Sequence, residues 1–172
     1  QQKRLALTFY RDQGDEFVVQ QYDFDTNIEK MKDVLASHNA NGGGDYEEAV
    51  EEALKVSMQQ SWDLAAQSKL LFLLLDAPPH FTEENVTIIK EQMELAREKG
   101  IKIIPIVASD ANKEVEFLMR YFSISTNGTY VFLTDDSGIG NDHLEPTASN
   151  YEIEKLNDLI VRLIEKYAGV FS

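Results

Sequence analysis

Apolar positions along this chain recur in two rhythms. Short runs rich in leucine, β-branched and aromatic residues read as strands: Leu5–Tyr10, residues 16–24, Leu70–Leu75, residues 101–107 and residues 129–133. Elsewhere apolar residues return every three or four positions, the spacing of an amphipathic helix. Ile28, Met31, Val34 and Leu35 form one such stripe, and Ala49, Val50, Ala53, Leu54 and Val56 a second. Val86, Ile89, Met93, Leu95 and Ala96 form a third, and Val115, Phe117, Leu118 and Phe122 a fourth. The last covers residues 151–167, with Ile153, Leu156, Leu159, Ile160, Leu163 and Ile164 on one face.

The most apolar run is Leu70–Leu75, six large residues without polar alternation. It is far short of the roughly 20 residues that cross a bilayer. The pattern predicts a strand buried on both faces, as in the middle of a parallel sheet covered by helices. Asp76 closes the run and Pro78 and Pro79 end the strand, because neither proline can donate to a neighbouring strand. Asp76 is therefore expected at the carboxyl end of a central strand, where open α/β sheets hold their ligands. Capping of a turn or of the next helix is the competing role for it.

Punctuation sets the order. Residues 11–15 are polar and include Gly14, so the first two strands read as an antiparallel hairpin. Asp25 or Thr26 is placed to cap the first helix, with Glu29 completing a capping box after Thr26. Gly42, Gly43 and Gly44 form a loop, and Asp45 follows at a predicted N-cap with Glu48 three residues on. The second helix is expected to end near Trp62. Thr82 caps the third helix, which Gly100 ends. Pro105 inside the next strand predicts a bulge or a missing ladder bond. Ser109 or Asp110 starts the fourth helix, and Asn127-Gly128 turns into the last strand. From Asp45 onward helix and strand alternate, which predicts an α/β fold with a mostly parallel sheet, while the hairpin supplies one antiparallel edge strand.

Charge narrows the partners. Thirty acids stand against 16 bases, for a net charge of −14, so a basic nucleic-acid-binding face is excluded. Cations, or a partner with a basic patch, suit such a surface. The absence of cysteine excludes disulfides, thiolate metal sites and cysteine nucleophiles. No apolar segment is long enough to insert into a membrane.

The residues bear on three chemistries. The glycine loop lacks the preceding strand and the following Lys-Ser or Lys-Thr of a phosphate cradle, and Asp45 would repel phosphate. A hydrolase lacks Gly-x-Ser-x-Gly, and of His38, His80 and His143 only His80 lies beside a strand end near an acid. A hard divalent cation needs oxygen ligands, which Asp45 and Asp76 offer. A loop before a helix and a loop after the next strand open on the same rim, so these two acids are expected to be neighbours. Asp12, Asp15, Asp135, Asp136 and Asp142 are expected on that rim too. The competing reading is a solvated acidic edge in which Asp45 and Asp76 only cap helices.

The order of elements, the stretch Gly42-Gly43-Gly44-Asp45-Tyr46-Glu47-Glu48-Ala49-Val50, the stretch Leu73-Leu74-Leu75-Asp76-Ala77-Pro78-Pro79-His80 and the hairpin Tyr10-Arg11-Asp12 resemble von Willebrand factor type A domains of the bacterial kind. The resemblance covers essentially all 172 residues. It implies a three-layer, doubly wound, mostly parallel sheet with one antiparallel edge strand, and a binding module rather than an enzyme. Many members carry a metal-ion-dependent adhesion site with three elements: an Asp-x-Ser-x-Ser loop after the first strand, a Thr or acid from a second loop, and an Asp ending the central strand. Asp76 resembles the third element, and Asp45 the second. Asp-x-Ser-x-Ser itself is absent, as are a strand and helix ahead of Leu5. The resemblance thus implies one domain over residues 1–172 that is incomplete at its N-terminus, with a gap in the sheet beside Leu70–Leu75. It further implies Mg²⁺, or Mn²⁺ or Ca²⁺ in its place, at Asp45 and Asp76, engaging an acidic group of a protein partner outside the cytoplasm. The alternative is a metal-free scaffold domain of a larger envelope or surface protein, binding through residues 134–150.

Overall fold

A computed structural model of the chain describes residues 2–39, 46–75, 77–107, 112–133 and 155–169. They form two compact units, Gln1–Asp63 with Pro78–Leu95, and Leu64–Ala77 with Ala96–Ser172. The first is called the hairpin unit, the second the parallel unit.

In the hairpin unit β1 (Leu5–Tyr10) and β2 (Val19–Asp25) pair antiparallel, with Tyr10 opposite Val19 and a register shift between Leu5 and Leu7. β2 starts later than the sequence pattern suggests. The connecting loop turns at Gly14, whose φ of 96° is open to glycine at little cost. α1 (Ile28–Ala36) and α2 (Val50–Gln59) pack against this hairpin. The cap of α1 is Asn27, whose side chain accepts from Lys30 N, rather than Asp25 or Thr26. Asp25 is otherwise engaged, accepting from Asn27 N at 2.9 Å and Lys30 Nζ at 2.6 Å. α2 begins with Ala49 at its N-cap and no side-chain cap, so Asp45 does not hold that position. Val50, Ala53, Leu54, Ser57 and Met58 form its buried stripe, and Ser57 Oγ donates to Thr8 Oγ1 of β1. The helix stops short of Trp62, whose indole N–H donates back to Ser57 O.

α3 (Glu83–Lys99) starts as expected, with Thr82 Oγ1 accepting from Asn85 N at 3.1 Å, and ends before Gly100, which takes a φ of 66°. Residues 83–95 belong to the hairpin unit and the remainder to the parallel unit.

The parallel unit is built on β3 (Leu70–Leu75), β4 (Lys102–Val107) and β5 (Val131–Phe132) in the order β3-β4-β5, all parallel. The expectation that Leu70–Leu75 is buried on both faces is corrected: Leu74 is 58% exposed and Leu70, Leu71 and Phe72 are half-buried. Among the described residues β3 has a strand neighbour on one side only, whereas β4 lies between two strands and is buried from Ile103 to Val107. Pro105 causes no bulge, since the β3–β4 register runs unbroken through Leu73 opposite Pro105. The reason is alternation. Lys102 N donates to Lys69 O, so even-numbered residues of β4 turn their backbone groups toward β3, and Pro105 faces the other way. On that side the ladder with β5 begins only at Ile106.

α4 (Lys113–Ser125) packs on β4 through Val115, Leu118, Met119 and Phe122. Phe117, expected inside, is 74% exposed, because it falls between the turns of that stripe. The expected starts at Ser109 and Asp110 lie outside the described residues; the cap is Asn112, whose side-chain oxygen accepts from Glu114 N and Val115 N, each at 3.0 Å. Asn112→Ala is expected to cost about 1 kcal/mol, the usual worth of such a cap, read as a lowered urea midpoint. α5 (Leu156–Ala168) begins later than residue 151, and its Leu163 packs with Ile104, Ile106 and Val131 in the core of this unit.

Candidate functional site

The two acids singled out from the sequence, Asp45 and Asp76, both lie outside the described residues, as do Asp135, Asp136 and Asp142. Their flanking segments are described. Glu48, three residues after Asp45, bridges in parallel to Pro79, three residues after Asp76, and Glu48 N donates to Pro78 O at 2.9 Å. Neither acid holds the N-cap of the helix that follows it, since Ala49 occupies that place for α2 and Thr82 supplies the capping oxygen of α3.

Asp12 does not fit the competing reading. It is not part of a solvated edge: it is 7% exposed, and His80 Nε2–H donates to its Oδ1 at 2.9 Å. Three features place this pair. Arg11 N donates to Val18 O, closing the loop after β1. Asp12 N donates to Asp15 Oδ2 within that loop. Asn85 Nδ2 of α3 donates to the His80 carbonyl, fixing the segment that Pro78 and Pro79 stiffen.

Glu51, in the first turn of α2, is 3% exposed. Its Oε2 is buried without a hydrogen-bond partner among the described residues. Burial pushes its carboxyl above the usual range; its own backbone amide pulls the other way, the charges of Glu52 and Asp12 add to the rise, and His80 opposes it. The helical spacing of Glu51 signals this burial. Glu51 stands three and seven positions before Leu54 and Met58, on the side of the helix that they bury. The Asp12–His80 pairing joins residues 68 apart and left no local trace.

Chemically, an aspartate against an imidazole orients the ring and favours its charged form. That is two of the three parts that nucleophilic catalysis needs. Among the described residues no group of three or more His, Asp or Glu is arranged to hold a metal ion. Among the described residues no helix is long and apolar enough to cross a membrane.

A family model described as the von Willebrand factor A domain matches residues 15–140. No curated protein matches the chain.

Proposed function

The chain belongs to the von Willebrand factor A domain family, and on that premise we propose that it is a protein-binding module that uses a divalent cation held by Asp45 and Asp76. Domains of this family are commonly interaction modules rather than enzymes. The observation that carries the reading is the Glu48–Pro78 hydrogen bond, which joins the stretch after Asp45 to the stretch after Asp76. The helix starts agree with it: Ala49 stands at the N-cap of α2 and Thr82 supplies the capping oxygen of α3, so neither position is taken by Asp45 or Asp76.

The donor set fits a hard cation. Two carboxylates suit Mg²⁺, which keeps several waters and demands few protein ligands, and Mn²⁺ or Ca²⁺ accept the same oxygens. When bound, the ion supplies a coordination position for a carboxylate of a protein partner. A chain of net charge −14 would otherwise repel such a group. In this reading the module works outside the cytoplasm, as many members of the family do.

Calorimetric titration of the protein with Mg²⁺ and with Mn²⁺ tests the proposal. Saturable binding is expected, weakened by at least about tenfold in Asp76→Ala, as loss of a charged oxygen ligand requires. Absence of binding, or binding unchanged by the substitution, removes the cation and leaves a metal-free interaction domain.

A further inference from the structure

We propose that Asn127-Gly128 is a deamidation site that the corner after α4 holds shut, so that conversion waits on local opening and then makes the opening permanent. The corner lies wholly within the parallel unit, and the site is independent of the cation reading.

The geometry of the corner asks for this pair. α4 ends at Ser125 with Thr126 as its C-cap, and Asn127 follows in the left-handed region at a φ of 53°. Glycine and asparagine take that conformation most readily. Asn127 N donates to Ile124 O at 3.4 Å and Gly128 N to Ser123 O at 2.8 Å, the two bonds that close such a helix end. The second position admits no side chain, because a Cβ on Gly128 would fall inside the carbonyl oxygen of Ile103. With asparagine in the first position, the chain carries an asparagine directly before glycine, the neighbour that least obstructs attack on the asparagine side chain. One other such pair occurs, Asn41-Gly42.

In deamidation the Gly128 nitrogen gives its proton to solvent base and attacks Cγ of Asn127. A C–N bond forms, the side-chain amide leaves as ammonia, and a cyclic succinimide results. Water then adds to either ring carbonyl and the C–N bond there breaks. The products are aspartate, or isoaspartate with a backbone longer by a methylene.

The electrophile is ready. Asn127 is exposed, and among the described residues its side-chain amide makes no hydrogen bond. The nucleophile is withheld. The peptide unit joining Asn127 to Gly128 is held at both ends: its N–H donates to Ser123 O, and its carbonyl accepts from Lys102 Nζ at 3.3 Å and from the Tyr167 hydroxyl at 3.4 Å. Tyr167 is itself tied to Thr129, hydroxyl to hydroxyl, at 2.7 Å. Turning that unit so that its nitrogen faces Cγ breaks bonds at both ends and drives Gly128 against the Ile103 carbonyl. Conversion therefore runs at its intrinsic rate multiplied by the fraction of time the corner is open. Isoaspartate then prevents closure, since its lengthened backbone no longer fits the two closing bonds.

Incubation of the full chain at about pH 8, folded and in concentrated urea, tests this, with conversion at Asn127 followed by peptide mapping that separates it from Asn41. The folded protein is expected to convert at Asn127 at least about tenfold more slowly than the unfolded chain. Tyr167→Phe loses a bond to the Asn127 carbonyl and the tie to Thr129, and should convert at least about threefold faster than the unaltered protein when folded, with the same rate in urea. Equal rates in the folded and unfolded chain overturn the proposal, as does a folded Tyr167→Phe rate equal to that of the unaltered protein. Amide exchange of the isoaspartyl form after removal of urea needs no variant. Protection of the Gly128 amide is expected to be lost while β4 keeps its own, and retained protection overturns the permanent step.

Discussion

Gly128→Ala is expected to destabilise the protein by at least about 3 kcal/mol, at the top of the range for overpacking, and to show it as a lowered urea midpoint. Gly128 follows the C-terminal turn of α4. Its amide donates to Ser123 O at 2.8 Å, which presses the backbone against β4. A Cβ there would fall inside the carbonyl oxygen of Ile103 and 2.8 Å from its carbon. The obstruction is backbone rather than a side chain that turns aside. It also belongs to a tightly bonded corner, because Ile103 N donates to Thr126 Oγ1 and Thr126 Oγ1 donates to Phe122 O. Relief would have to break one of these bonds. Gly14→Ala is the control, since Gly14 has a φ of 96° but nothing within 4 Å of an added Cβ, so it incurs only backbone strain of about 1–2 kcal/mol. Equal losses at the two positions would show that contact with Ile103 is not the cause.

Phe122→Ala should cost about 3–5 kcal/mol, the range for a fully buried phenylalanine that leaves a cavity behind. Phe122 is 0% exposed on the face of α4 that packs on β4. Its neighbours cannot readily close the gap, because Ile103 and Thr126 are held by the bonds just described. Phe117→Ala, one and a half turns away at 74% exposure, should change the urea midpoint by no more than about 0.5 kcal/mol. The pair of measurements separates burial from residue type. A small loss at Phe122 would mean that α4 does not bear on β4 as described.

Much of the architecture could be read from the residues because the governing physics is local. β1 and β3 fall where the apolar runs place them, α3 starts at Thr82, and Gly100 ends it. Misplacements came where two local options compete. Asp25 and Thr26 each have the chemistry of a cap, yet Asn27 takes the position because Asp25 is drawn into bonds with Asn27 and Lys30. Phe117 carries the right side chain for a core and the wrong angular position on its helix. Leu74 shows that a run of leucines does not report how many neighbours a strand has; the burial expected of β3 belongs to β4. The site divides in the same way. The expected nearness of Asp45 and Asp76 follows from strand and helix order; both acids lie outside the described residues, while Glu48 and Pro79, three residues beyond each, do meet. Asp12 and His80 are brought together by tertiary folding alone, and no spacing rule reaches across 68 residues.

The two units have a consequence for how the molecule is made. The hairpin unit takes residues from both sides of Leu64–Ala77, and the parallel unit includes that insertion together with everything from Ala96 onward. No single cleavage of the chain releases either unit whole, so truncation at Asp63 removes α3 and His80 from the hairpin they complete. During synthesis the first strands must wait for Leu95 to leave the ribosome, a delay of a few seconds at about 5–20 residues per second. Until then β1 and β2 pack only against α1 and α2.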